Sequence, residues 1–139
     1  MQRSKNMSEQ NEKLIETANE FVAAGNYEEF VKLCAENVRW TMFSPGGTVV
    51  LDGREAIVEF MGTRPNASQA PPEFTITNTI SDKSNVVTCG DMPMKEKDGS
   101  TGNYAFCDIY TIKNGEIAEF LTHMNRVDTE QTKDRSASA

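Results

Sequence analysis

An aspartate sits where a strand would be expected to carry none. In the stretch FCDIYTIKNGEIAEFLTH, residues 106–123, Asp108 lies between Cys107 and Ile109 in a run of β-forming residues. Aspartate is depleted in strands and costly to bury without a partner. Strand alternation puts Tyr104, Phe106, Tyr110 and Ile112 on the face of Asp108. A carboxyl ringed by aromatic side chains is poorly solvated, so its pKa rises. Such a group can act as general acid, general base or hydrogen-bond donor. The alternative is a structural aspartate satisfied by a tyrosine hydroxyl or a water. His123 is the only histidine, and an Asp108–His123 pair would be an acid–base unit.

The turn at Asn114-Gly115 decides whether the two meet. A two-residue loop pairs Lys113 with Glu116, sets Asp108 against Leu121 and puts His123 on its face. A three-residue loop with a glycine bulge pairs Ile112 with Glu116 and sets Asp108 against Phe120. Thr122 and Met124 then share the face of Asp108, and His123 crosses to the other side, because a one-residue slip flips every side chain.

Other chemistry is thin. Cys34, Cys89 and Cys107 are widely spaced, with no CxxC or Cys/His cluster, so no metal site is indicated and no cofactor is expected. Reduced thiols fit a cytoplasmic protein. No nucleophilic Ser/His/Asp set or phosphate loop is present. Asp91, between Gly90 and Met92, reads as a second cavity acid or, the favoured reading, a surface residue at a bulge, and Glu119 as facing solvent or a dimer partner. Fourteen basic against 21 acidic residues give a net charge of −7, which argues against a nucleic-acid or anionic-membrane partner. With 37% hydrophobic and 25% charged residues in a chain of 139, one globular domain is expected.

The elements that must position Asp108 can be laid out along the chain. Residues 1–7 read as a flexible extension, 8–127 as the domain and 128–139 as a disordered tail. A helix from Ser8 stops at Gly25. Asn26 and Glu29 form a capping-box pattern that starts a second helix, with Phe30, Leu33 and Cys34 inward. Residues 38–43 alternate with Val38, Trp40 and Met42 on one face, and 48–51 form a short strand. A third helix ends at Gly62, with Ala56, Ile57 and Phe60 inward. After a Pro-rich connection, 63–72, four strands follow at 73–81, 85–94, 102–113 and 116–127. Helices first and a sheet meander behind indicate an α+β fold. A curved sheet wrapping the helices leaves a pocket between them.

This layout resembles the SnoaL-like branch of the nuclear transport factor 2-like superfamily, which includes ketosteroid isomerases, polyketide cyclases and limonene epoxide hydrolases. The likeness is carried by AAGNYEEFVKLCAENVRW, LDGREAIVEFM and FCDIYTIKNGEIAEF, over roughly residues 8–127. It implies a cone-shaped, curved antiparallel sheet wrapping three N-terminal-half helices around an internal cavity, and a homodimer. It also implies that Asp108, the acid before the closing hairpin, points into the cavity. The matching carboxyl of ketosteroid isomerases stays protonated and donates a hydrogen bond to an oxyanion. The rest of that site is missing: the helix tyrosine falls at Ala18, and the base at Ser44 or Met42. The epoxide hydrolase set is incomplete too, with Phe106 in place of its arginine and Thr122 in place of its second aspartate. What remains is cyclase-like, one acid in an aromatic pocket. The resemblance favours the bulged loop, and so His123 outside the cavity.

The expectation is therefore an enzyme of isomerase, cyclase or hydrolase type, using Asp108 on an apolar, polyketide- or terpenoid-like small molecule. Trp40, Met42, Phe60, Tyr104, Phe106, Tyr110, Phe120, Thr122 and Met124 are expected to hold that molecule. The alternative is a non-catalytic dimeric domain that binds an apolar ligand or merely assembles.

Overall fold

A computed structural model of the chain describes residues 3–63 and 73–127. Most of the Pro-rich connection and all of the tail from residue 128 lie outside the described residues. Three helices, α1 (Arg3–Ala23), α2 (Tyr27–Lys32) and α3 (Arg54–Thr63), accompany six strands. These are β1 (Cys34–Ser44), β2 (Gly47–Asp52), β3 (Thr75–Ser81), β4 (Asn85–Lys95), β5 (Thr101–Lys113) and β6 (Glu116–Val127). They form one sheet in the order β2-β1-β6-β5-β4-β3. The sheet is mixed rather than wholly antiparallel. β6 returns to the centre and pairs β1 in parallel, while every other pair is antiparallel.

The helices differ from the sequence reading at their ends. α1 begins at Arg3, ahead of Ser8. It stops as expected, because Gly25 takes φ 80° and donates its N–H to Val22, while the Asn26 N–H reaches Phe21. That is a Schellman closure. The capping box after it does not form, and Asn26 makes no side-chain cap bond. Its N–H is already spent on Phe21, and Glu29 pairs with Lys32 at 2.7 Å. α2 ends at Lys32 because the Leu33 carbonyl accepts from the Ile117 N–H, which draws Cys34 into the sheet. Cys34, expected on the helix, opens β1.

The core lies between the helices and the inner face of the sheet. Ile15 and Ala18 of α1, Phe30 of α2 and Ile57 of α3 meet Val38, Val86 and Ile117 of the strands, all buried. Gly90 on β4 is needed for this packing. A Cβ there would overlap the Thr75 carbonyl oxygen and lie 2.8 Å from Phe106 Cζ. Gly90→Ala is expected to cost about 1–3 kcal/mol, read by urea unfolding, because β3 or the Phe106 ring must shift.

The closing hairpin corrects the expected turn. Asn114 (φ 53°) and Gly115 (φ 76°) form a two-residue loop, and Lys113 pairs with Glu116. The bulge lies further along, at Ala118: Ile112 pairs with Ile117, but Thr111 pairs with Glu119. The turn thus follows the local preference of Asn-Gly. The bulge then restores the alternation that buries Phe120 and Thr122. Asp108 pairs with Thr122, and His123 with Cys107 on the opposite face.

Candidate functional site

The inner face of the sheet and the helices enclose a cavity of about 400 Å³. Trp40 and Met42 of β1, Phe60 of α3, Phe106 and Tyr110 of β5, and Phe120, Thr122 and Met124 of β6 line it with Asp108. Tyr104 does not; its hydroxyl is held by Glu96 at 3.1 Å. Asp91 is exposed. His123 is exposed as well and stacks on Phe43, ring centroids 4.7 Å apart, on the outer face.

Sequence reasoning missed several lining residues, among them Phe30, Met61, Phe74, Met92 and Met94. Phe30 was legible only as an inward residue of the second helix, and Met92 and Met94 lie on β4, whose inward face follows from its pairing with β5 and has no mark in the sequence. Composition held one further signal. Five of the chain's seven methionines line this cavity, which gives it an adaptable, polarisable wall.

A stack of rings fixes the polar centre. Trp40 stacks on Phe120 at 5.0 Å, and Phe120 on Tyr110 at 5.3 Å. Phe60 meets Trp40 edge-on, and Phe30 meets Phe120 in the same way. Held so, the indole N–H of Trp40 donates to Thr122 Oγ1 at 2.8 Å. An indole N–H can only donate, so Thr122 accepts it and directs its own O–H elsewhere. That O–H donates to Asp108 Oδ1 at 2.6 Å. The Tyr110 hydroxyl makes a longer bond, 3.5 Å, to Asp108 Oδ2.

Burial pushes the Asp108 carboxyl up to about 6, against the opposing pull of the Thr122 and Tyr110 hydroxyls. The Tyr110 phenol is raised well above its ordinary value, first by burial and then by the Asp108 charge, so it stays a neutral donor. No Lys, Arg or His lines the cavity among the described residues. The carboxylate therefore lacks a counter-charge and is stabilised by hydroxyls alone. Thr122→Val removes the shorter of these bonds and is expected to move the Asp108 titration above its native midpoint, seen by carboxyl NMR.

The arrangement is suited to moving a proton in an apolar enclosure. It is not suited to thiol chemistry, since burial pushes Cys34 to about 12 and Cys107 to about 11. Among the described residues no cluster of His, Cys, Asp or Glu could hold a metal ion, and no helix is long and apolar enough to cross a membrane.

Comparison with known proteins gives a consistent fold. A putative ketosteroid isomerase from Kribbella flavida superposes with a TM-score of 0.74 at 17% identity, over 95% of this chain and 89% of that one. Bal32a, from a soil-derived mobile gene cassette, gives 0.72 at 20% identity, over 85% and 91%. TerC, co-crystallised with polyporic acid, gives 0.67 at 18% identity, over 93% and 95%. No curated protein matches the sequence. The family described as the SnoaL-like domain matches residues 15–120, and the chain belongs to that family.

Proposed function

We propose that the protein is a small-molecule enzyme of isomerase, cyclase or hydrolase type that moves a proton on an apolar substrate with Asp108. The observation that carries this reading is the Asp108 carboxyl, lifted to about 6 inside an aromatic and methionine-lined cavity. A pKa near the working pH suits a group that must both take and give a proton. The ionised Asp108 takes the proton. Tyr110, neutral and loosely bonded at 3.5 Å, turns its O–H toward the oxygen on which charge develops. The cavity volume falls in the usual small-molecule range of roughly 300–1,000 Å³. The ketosteroid isomerase-like neighbour, and the crystallisation of TerC with polyporic acid, support a polyketide- or terpenoid-like ligand.

Deuterium exchange next to the carbonyl of a panel of apolar cyclic ketones tests the reading. Exchange is expected to rise as pH passes about 6, because the ionised form of Asp108 is the base. Exchange that is as fast with Asp108→Asn would overturn it.

One observation favours the non-catalytic alternative: among the described residues Tyr110 is the only other titratable residue in the wall. A ligand bound equally by the native chain and by Asp108→Asn, with no turnover by either, would decide for it.

We further propose a homodimer through the outer face of the sheet. Phe43 and Val127 are exposed there beside His123, with Ile109 and Leu121 half-buried. Light scattering is expected to give twice the chain mass, and His123→Ala, which removes the ring stacked on Phe43, to shift the mass toward monomer. The three free cysteines support a cytoplasmic location.

A further inference from the structure

Four polar side chains stand in one row across the inner face of the sheet. Thr79 on β3 pairs with Thr88 on β4, Thr88 with Asp108 on β5, and Asp108 with Thr122 on β6. Directly opposed residues share a face, with Cβ atoms about 5 Å apart. The row therefore runs from the sheet edge to the Trp40–Thr122–Asp108 chain. Thr122 is satisfied within it. Thr88 is not: it is 1% exposed, and its Oγ1 is the one buried side-chain polar atom without a hydrogen-bond partner among the described residues. Buried hydroxyls in such places are satisfied by ordered water.

A second cavity, about 350 Å³, opens on this row. Glu12, Glu16, Asn19 and Glu20 of α1 line it together with Thr79 and Thr88. The glutamates follow one another at four-residue spacing and so share one side of the helix. Their charge keeps the groove wet, in contrast with the apolar cavity. Asn19 lines both cavities and marks where they adjoin.

We propose that the row Thr79–Thr88–Asp108 is a water-lined proton path that connects Asp108 to solvent through the α1 groove, apart from the cavity that takes the substrate. This rests on the reading of Asp108 as an acid–base group. Such a group must exchange its proton with solvent between turnovers, and an apolar substrate filling its own cavity excludes water from that side. Asp108 Oδ2, with only the 3.5 Å bond from Tyr110, has room to accept from a water held by Thr88.

The chain's single tryptophan reports on the path, because its indole N–H ends the hydrogen-bonded chain through Thr122 and Asp108. Solvent exchange of that proton is followed by NMR in the full chain and in Thr88→Val, with and without toluene as an apolar probe. Valine keeps the shape of threonine and removes an unpartnered hydroxyl, so the fold is preserved. In Thr88→Val the indole proton is expected to exchange about tenfold more slowly, relative to the Ile109 and Tyr110 amides of central β5, in at least one of the two conditions. Asn19→Leu, which puts an apolar side chain where the two cavities adjoin, is expected to act in the same direction. Unchanged relative exchange in Thr88→Val under both conditions overturns the path. The readout needs no substrate, so this proposal and the assignment of an activity to Asp108 fail separately.

Discussion

At pH 7 the Asp108→Asn protein is expected to be more stable than the native chain and, on the proposed acid–base role of Asp108, to lose turnover. Asp108 titrates near 6 in the folded protein, above the ordinary carboxylate value of 3.8. The fold therefore binds this proton more tightly than the unfolded chain does. The stability that Asp108 contributes is fully present below about pH 4. It declines as pH rises toward 6 and stays low above that, since the unfolded chain ionises more readily. A shift of roughly two units corresponds to at most about 3 kcal/mol. Asparagine resembles the protonated carboxyl in shape and carries no charge to desolvate. The variant is expected to gain about 1–3 kcal/mol at pH 7, with little gain near pH 4. Urea unfolding at the two pH values checks this; an equal effect at both would remove the desolvation argument. The rate is expected to fall about 10²–10⁴-fold, the range typical of general acid–base groups. A site held at the expense of stability is a common sign of function.

Phe120→Ala is expected to cost about 3–5 kcal/mol. Phe120 is 3% exposed and touches three other rings, stacking between Trp40 and Tyr110 and taking the edge of Phe30. Removing it frees the indole that orients Thr122, so the hydroxyl is held less firmly on Asp108. Two readouts are expected to move together: a lower urea midpoint and an Asp108 titration shifted upward. Partial recovery of stability with toluene would show that the lost ring left a fillable space. A variant that loses stability while Asp108 titrates as before would separate the stack from the acid.

Much of the fold was legible because its signals are local and periodic. The alternation of Val38, Trp40 and Met42, the Gly25 stop and the place of the hairpin at Asn114-Gly115 each follow from a few neighbouring residues, although the loop is two residues long and not the expected three. Asp108 drew notice because it breaks such a pattern. The parallel pairing of β1 with β6 was not legible, since it joins residues some eighty positions apart and leaves no local mark. The Asn26 cap failed for a related reason: its N–H had two possible partners, and the preceding helix took it. Phe120, Thr122 and Met124 were placed on the correct face through a bulge at the wrong residue. Hydrophobic alternation fixes which side chains turn inward, while the position of the bulge depends on where the strand can most easily absorb an extra residue. The Thr79–Thr88–Asp108 row was invisible for want of register, because threonine in a strand is unremarkable until its opposite number is known.

The extra residue at Ala118 makes β6 a strand with two latent faces. Ahead of the bulge, Ile117 turns inward; beyond it, Phe120, Thr122 and Met124 do. Were the slack at Ala118 carried to the far end of the strand, the same residues would present Glu119, Leu121 and His123 instead. Asp108 would then lie opposite Leu121, with His123 on its face, where it now lies opposite Thr122. One stretch of sequence thus stores two different sets of inward side chains, and displacing a single irregularity along the backbone exchanges them. For a lineage that acquires new substrates, or for an engineer, that displacement is a shorter step than rebuilding the wall one side chain at a time.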